Sequence, residues 1–213
     1  MTIPLYLQDL ERLVGGPRGN HPCIVQYTPF NEGDMFAAFN SSHLPANSTA
    51  PRFAAPIQLE GVVALVRRLD WNSRLVDLNS GGGANKFGLG DVNDLHLYTD
   101  PRDVPPAPHQ YGMVGEYSNV ASYIPGHEWQ PGRCKAMKAM DNSSEMANYF
   151  IKTLGELEAV VAHVSASIYT QTTDIEDECD GWLSFDRVEK FTADEYAAVR
   201  AAQEAILKAA SKN

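Results

Sequence analysis

The chain has 213 residues, 44% of them hydrophobic, and its 27 acidic against 17 basic side chains leave a formal net charge of -10. That size and apolar content suit a single globular domain, residues 1–213, with a core of its own and argue against a disordered tail, while the acidic surplus, with no Lys/Arg cluster along the chain, argues against a nucleic-acid partner. No stretch approaches the roughly 18 apolar residues of a membrane span, and MTIPLYLQDLERLV carries acidic side chains where a secretory leader is basic and then apolar, so a soluble chain is expected, cytoplasmic by default unless a parent protein is secreted.

Residues 5–14, LYLQDLERLV, repeat apolar side chains at helical spacing and stop at Gly15-Gly16-Pro17, a helix terminator. A first strand is read from Cys23 to Pro29, followed by a polar Asn/Ser/Pro-rich loop from Gly33 to Pro56 whose length points to a functional or mobile segment rather than a mere connection. PIQLEGVVALVRRLD then sets Ile57, Leu59, Val62, Val63, Val66 and Leu69 on one side of a helix that leads to a second strand from Leu75 to Asn79. A glycine-rich loop at Gly81-Gly82-Gly83 enters a third strand, Asp94 to Tyr98, and Pro105, Pro106 and Pro108 break the chain before a fourth, Tyr111 to Glu116. Ser144 to His163 reads as a helix with Met146, Tyr149, Phe150, Leu154, Leu157 and Val161 inward. A fifth strand, Ser165 to Gln171, runs into the acidic loop DIEDECDG, and Ala193 to Ala210 forms an Ala-rich amphipathic helix. Short apolar runs alternating with longer amphipathic ones favour an α/β domain with parallel strands, either an open sheet or part of a barrel, since a complete barrel needs about eight strands and roughly 250 residues.

Cys23, Cys134 and Cys179 are odd in number and far apart, so they suggest neither a disulfide framework nor a metal-ligand set and are read as buried thiols. The acidic run Asp174 to Asp180 lacks calcium-loop spacing and is read as a solvated loop. Glycosylation-type triplets begin at Asn40, Asn47 and Asn142; without a leader they decide nothing.

Two apolar runs end in a carboxylate: IVQYTPFNEG places Asn31 and Glu32 past the first strand, and YGMVGEY places Glu116 at the end of the fourth. In parallel α/β folds, reactive groups collect at the carboxyl ends of strands. Were the two glutamates to face one cavity, one could protonate a leaving oxygen while the other attacks an anomeric carbon or activates water, the pair of roles that glycosidic cleavage demands. Spacing alone does not identify that reaction, and a glutamate taken singly is most often an ordinary solvated residue at a strand–loop junction; the joint placement of two at strand ends is what favours the catalytic reading.

HPCIVQYTPFNEG (His21 to Gly33), VGEYSN (Val114 to Asn119) and SASIYTQTTDIEDECDGWLSFDR (Ser165 to Arg187) resemble the catalytic barrel of glycoside hydrolase family 2, whose members include β-galactosidases, β-glucuronidases and β-mannosidases. The resemblance implies a partial (β/α)8 TIM barrel, roughly strands four to eight with flanking helices. It implies retaining hydrolysis of β-glycosides with Glu32 as acid/base, Glu116 as nucleophile and Asn31 on the sugar 2-hydroxyl, and neither metal nor cofactor takes part. Tyr98 falls where a tyrosine orients the nucleophile, or else is a core aromatic; His96 shares its face by strand alternation and either lines the pocket or is an ordinary satisfied histidine. Trp129, Tyr169 and Trp182 lie in or beside loops and either stack on sugar rings or cap the core.

The chain departs from the family in starting at the helix before strand four, so strands one to three and the preceding β-sandwich domains are not in it. Open barrel edges then offer a route to self-association. The competing expectation is a catalytically inactive barrel fragment that serves assembly or binds carbohydrate weakly.

Overall fold

A computed structural model describes residues 3–32, 59–81 and 88–212; the expected loop from Gly33 to Pro56, Ile57, and the glycines after Gly81 lie outside the described residues. The fold is mixed α/β, with parallel strand pairs in small sheets and, among the described residues, four α-helices. No described helix is long and apolar enough to cross a membrane. The chain divides into two compact units, Met1–Asp94 with Pro106–Gly112, and Leu95–Pro105 with Met113–Asn213.

In the first unit, helices α1 (Ile3–Val14) and α2 (Leu59–Leu69) turn apolar stripes inward. Leu10, Val14, Leu59, Val62, Val63, Leu65 and Val66 are buried in one cluster with Tyr27, Phe30, Val76 and Leu78. The first expected strand, Cys23 to Pro29, holds only β1 (Gln26–Tyr27), with β2 (Phe30–Asn31) just past it, and the second is two short pieces, β3 (Leu75–Val76) and β4 (Asn79–Ser80). Gln26 lies opposite Leu75 and Asn31 opposite Ser80, all in parallel, so the pieces share one register. The interruption falls at Pro29, which has no N–H to give to a ladder.

The second unit is built on a sheet with strand order β5 (Val92–Tyr98), β6 (Tyr111–Ser118) and β9 (Val164–Thr170); the first residues of β5 and β6 count with the first unit. Tyr111 N donates to Asp91 O near the start of β5 and β6, and Thr99 bridges Ser118 at their other end. Two short strands, β7 (Val120–Ala121) and β8 (Lys138–Ala139), pair in parallel nearby in the chain and were not legible as periodic segments. Helix α3 (Ser143–Ala159) starts at Asn142, whose side chain accepts from Glu145 N, so that residue of the third glycosylation-type triplet is a helix cap. Helix α4 (Ala193–Ala210) starts in a full capping box between Thr192 and Glu195. The core joins Val104, Val114, Tyr117, Phe150, Leu154, Leu157 and Val199.

Two readings of the sequence are corrected here. Cys134 and Cys179 are joined in a disulfide, with Cα atoms 5.5 Å apart, and Cys23 is exposed; separation along the chain does not report proximity, and here two loops meet. The acidic run is not simply solvated. Asp174 and Asp180 are buried, and the fully buried Lys190 ammonium donates to Asp174 Oδ1 at 2.7 Å and to the carbonyls of Ser122 and Cys179. Asp174 also accepts from Gly181 N at 2.9 Å, an approach that needs glycine, because a Cβ there would collide with the backbone of Thr173 and Asp174.

Candidate functional site

The alternation of β5 and β6 sorts their side chains. Leu95 and Leu97 pack on the core, and Tyr117 is buried in it against Phe150 and Tyr169. With a period of two, His96, Tyr98 and Glu116 therefore share the opposite face of the sheet. There the Tyr98 hydroxyl donates to Glu116 Oε2, and His96 Nδ1 lies 3.5 Å from the same oxygen. The His96 ring meets Tyr98 edge-on at 6.3 Å, with its side chain only 5% exposed, while the Glu116 side chain keeps 26% exposure. Both contacts fall on one carboxylate oxygen, so the group is oriented without engaging its second oxygen in either of them. A carboxylate so held is suited to attack through that second oxygen or to stabilise an adjacent positive charge.

Just beyond, Ser118 and Asn119 take positive φ values of 94° and 54°. Ser118 is in a region that a side chain disfavours, and such strain gathers where a chain must aim a functional group. Asn119 turns its amide oxygen onto Met137 N at 2.6 Å, which seats β8 beside β7.

In the first unit Asn31 and Glu32 follow one another at the end of β2, both exposed, with Glu32 N donating to Ser80 O at 2.9 Å and Glu32 at φ 44°. A feature absent from the sequence reading is the buried pair Asp77 and Asp94. Burial, and then the charge of Asp94 with the hydrogen bond between the two carboxyls, pushes Asp77 up to about 8. Thr28 Oγ1 donates weakly to Asp77 at 3.4 Å and Ser80 Oγ to Asp94 at 2.8 Å. The signal was available in LVDLNS and VNDLHLY, where each apolar run carries an aspartate in its interior.

The three candidate stacking residues separate. Tyr169 and Trp182 lie in the aromatic core, their rings 4.5 and 4.9 Å from Phe150, and the Tyr169 hydroxyl donates to Asp180 O. Trp129 stays 49% exposed beside Phe185. Thus the structure gathers His96, Tyr98 and Glu116 in the second unit, places Asn31 and Glu32 together in the first, and leaves Trp129 on a loop surface.

No protein-family model and no curated protein sequence matches the chain. Among solved structures it is similar to the β-glucuronidase of Faecalibacterium prausnitzii, with a TM-score of 0.58 at 14% sequence identity over 95% of this chain. The likeness is one of fold. The chain spans 35% of the length of that enzyme.

Proposed function

We propose that this chain carries the catalytic part of a family 2 type glycoside hydrolase, a partial (β/α)8 barrel that cleaves β-glycosides with retention. The observation that carries the reading is the Tyr98 hydroxyl and the His96 imidazole directed at one oxygen of Glu116, near the end of the middle strand of its sheet. The fold likeness to a β-glucuronidase supports it.

In this reading the Glu116 carboxylate attacks the anomeric carbon. The glycosidic C–O bond breaks, its electron pair goes to the leaving oxygen, and that oxygen takes a proton from Glu32. Water then attacks the same carbon, returns a proton to Glu32, and the bond to Glu116 breaks, regenerating both carboxyl groups. Asn31 holds the sugar 2-hydroxyl, and Tyr98 steadies the nucleophile and the charge that returns to it. The substrate is a carbohydrate; no metal, cofactor or nucleic acid is called for.

Hydrolysis of p-nitrophenyl β-glucuronide, β-galactoside and β-mannoside tests this. Glu116→Gln should lower kcat by about a thousandfold or more, and Glu32→Gln should hurt substrates with poor leaving groups most. Turnover untouched by both substitutions would defeat the mechanism. A second reading, a non-catalytic module that assembles with another chain or binds sugar weakly, draws on β9: it is the last strand of its sheet, and Ser165, Ala166, Ser167 and Ile168 are all exposed. Absence of turnover together with a concentration-dependent dimer in sedimentation would favour it.

A further inference from the structure

The second unit holds an exposed tryptophan more firmly than an incidental surface residue needs. Trp129 sits in the loop that follows β7, Phe185 in the loop that follows β9, and their ring centroids are 4.8 Å apart with planes tilted by 58°. Two residues before Trp129 and one after Phe185, His127 Nδ1 meets Asp186 Oδ2 at 2.8 Å. Asp186 is itself fixed by Ser184 Oγ at 2.5 Å, and Glu128 folds back to accept from Gly126 N at 2.6 Å. Farther along the same two loops, the Cys134–Cys179 disulfide and the Lys135–Asp177 ion pair at 2.7 Å join them again. The loops are thus tied at both ends, and between the ties the indole keeps about half its surface in water.

Trp182, by contrast, shows what a core-capping tryptophan looks like in this unit: it is enclosed by Phe150, Tyr169 and Phe191. Among the described residues Trp129 has one aromatic neighbour, and about half of its surface stays exposed although burying it would be favourable. An aromatic face kept in water on a cross-linked base is pre-organised to receive a flat ligand with polarised C–H groups. The engagement of His127 Nδ1 with Asp186 leaves Nε2 as the ring nitrogen available to a ligand, and the charged rim of Glu128 and Asp186 offers acceptors for hydroxyls.

We propose that Trp129, backed by Phe185 and rimmed by His127, Glu128 and Asp186, is a binding platform for one pyranose unit of a β-linked oligosaccharide, separate from the unit whose bond is cleaved. The C–H face of the sugar stacks on the indole, and its equatorial hydroxyls reach the rim. The choice of a sugar as ligand rests on the glycosidase reading above; the platform itself rests on its own geometry. The substrate would then be an oligosaccharide rather than a glycoside with a small aglycone.

Cellopentaose, mannopentaose and β-1,4-galactopentaose are titrated into the Glu116→Gln protein, which should not consume them, with calorimetry and the Trp129 indole N–H signal in NMR as readouts. At least one should shift that signal, and Trp129→Ala should weaken its binding by at least about tenfold. Trp129→Phe should restore most of the affinity, which separates loss of a stacking ring from loss of folding. The platform is overturned if none of the three shifts the Trp129 signal, or if one binds equally well to Trp129→Ala. Parallel turnover of the nitrophenyl glycosides by the unmodified chain keeps the two ideas apart. Turnover without a Trp129 response sinks the platform alone; a Trp129-dependent response without turnover upholds the platform and sinks the chemistry.

Discussion

In the first unit the buried carboxyl of Asp77 faces another carboxyl, Asp94, whereas in the second the buried carboxylate of Asp174 faces the ammonium of Lys190 at 2.7 Å. Burial works against charge in both places: it pushes Asp77 and Asp174 up and Lys190 down. The remedies differ. A proton retained on Asp77 removes one of two like charges, while Lys190 answers the charge of Asp174 with three hydrogen bonds of its own. The first unit therefore has a stability tied to pH, and the second one tied to keeping both halves of an ion pair, with a disulfide at its side.

The sharpest way to break this contrast is Lys190→Met. It leaves Asp174 buried without its cation and should cost about 3–5 kcal/mol of stability in urea denaturation, and pairing it with Asp174→Leu should recover most of the loss. A single substitution that costs less than about 1 kcal/mol would show that the pair is not the clamp described.

The next effect concerns the disulfide. Cys134 and Cys179 are 45 residues apart in sequence, so the bond restrains a long loop in the unfolded chain, and Cys134→Ser should lower stability by about 2–4 kcal/mol. Cys23→Ser, at an exposed free thiol in the first unit, should change stability little. Equal losses from the two substitutions would erase the difference between the units.

The smallest effect per step is the pH dependence of the first unit. The folded-state value of Asp77 lies above its ordinary 3.8, at about 8, so the folded chain binds this proton more tightly than the unfolded one. The contribution is complete below about pH 4 and is lost as pH rises through 8, with a slope of at most about 1.4 kcal/mol per pH unit. Melting temperatures between pH 5 and 9 should fall for the natural chain and flatten for Asp77→Asn. A stability that rises over that range would reverse the sign and remove the carboxyl pair as its cause.

The two candidate catalytic carboxylates repeat the contrast on a smaller scale. Glu32 is exposed at a left-handed strand end, in the company of Asn31. Glu116 is half-buried and held by a phenol and an imidazole. Orientation of Glu116 is thus built into the second unit, and Tyr98→Phe should expose how much of the activity depends on it.

How much of this was legible in the sequence depends on range. Helix α4 was read with its observed limits because its signal is local, an Ala-rich amphipathic stripe, to which the structure adds the capping box between Thr192 and Glu195. Alternation along DLHLY likewise told that His96 and Tyr98 share a face. The strand read from Cys23 to Pro29 is observed only at Gln26–Tyr27, with a second piece resuming at Phe30, because Pro29 brings no N–H to a ladder whose partner lies some fifty positions away. The meeting of Cys134 with Cys179, of Lys190 with Asp174 and of Asp77 with Asp94, and the separation of Trp129 from Tyr169 and Trp182, were decided only by the tertiary structure. Local backbone geometry fixes a period from a few neighbouring residues, but the loss of water around a charge or a ring exists only once distant segments have closed over it.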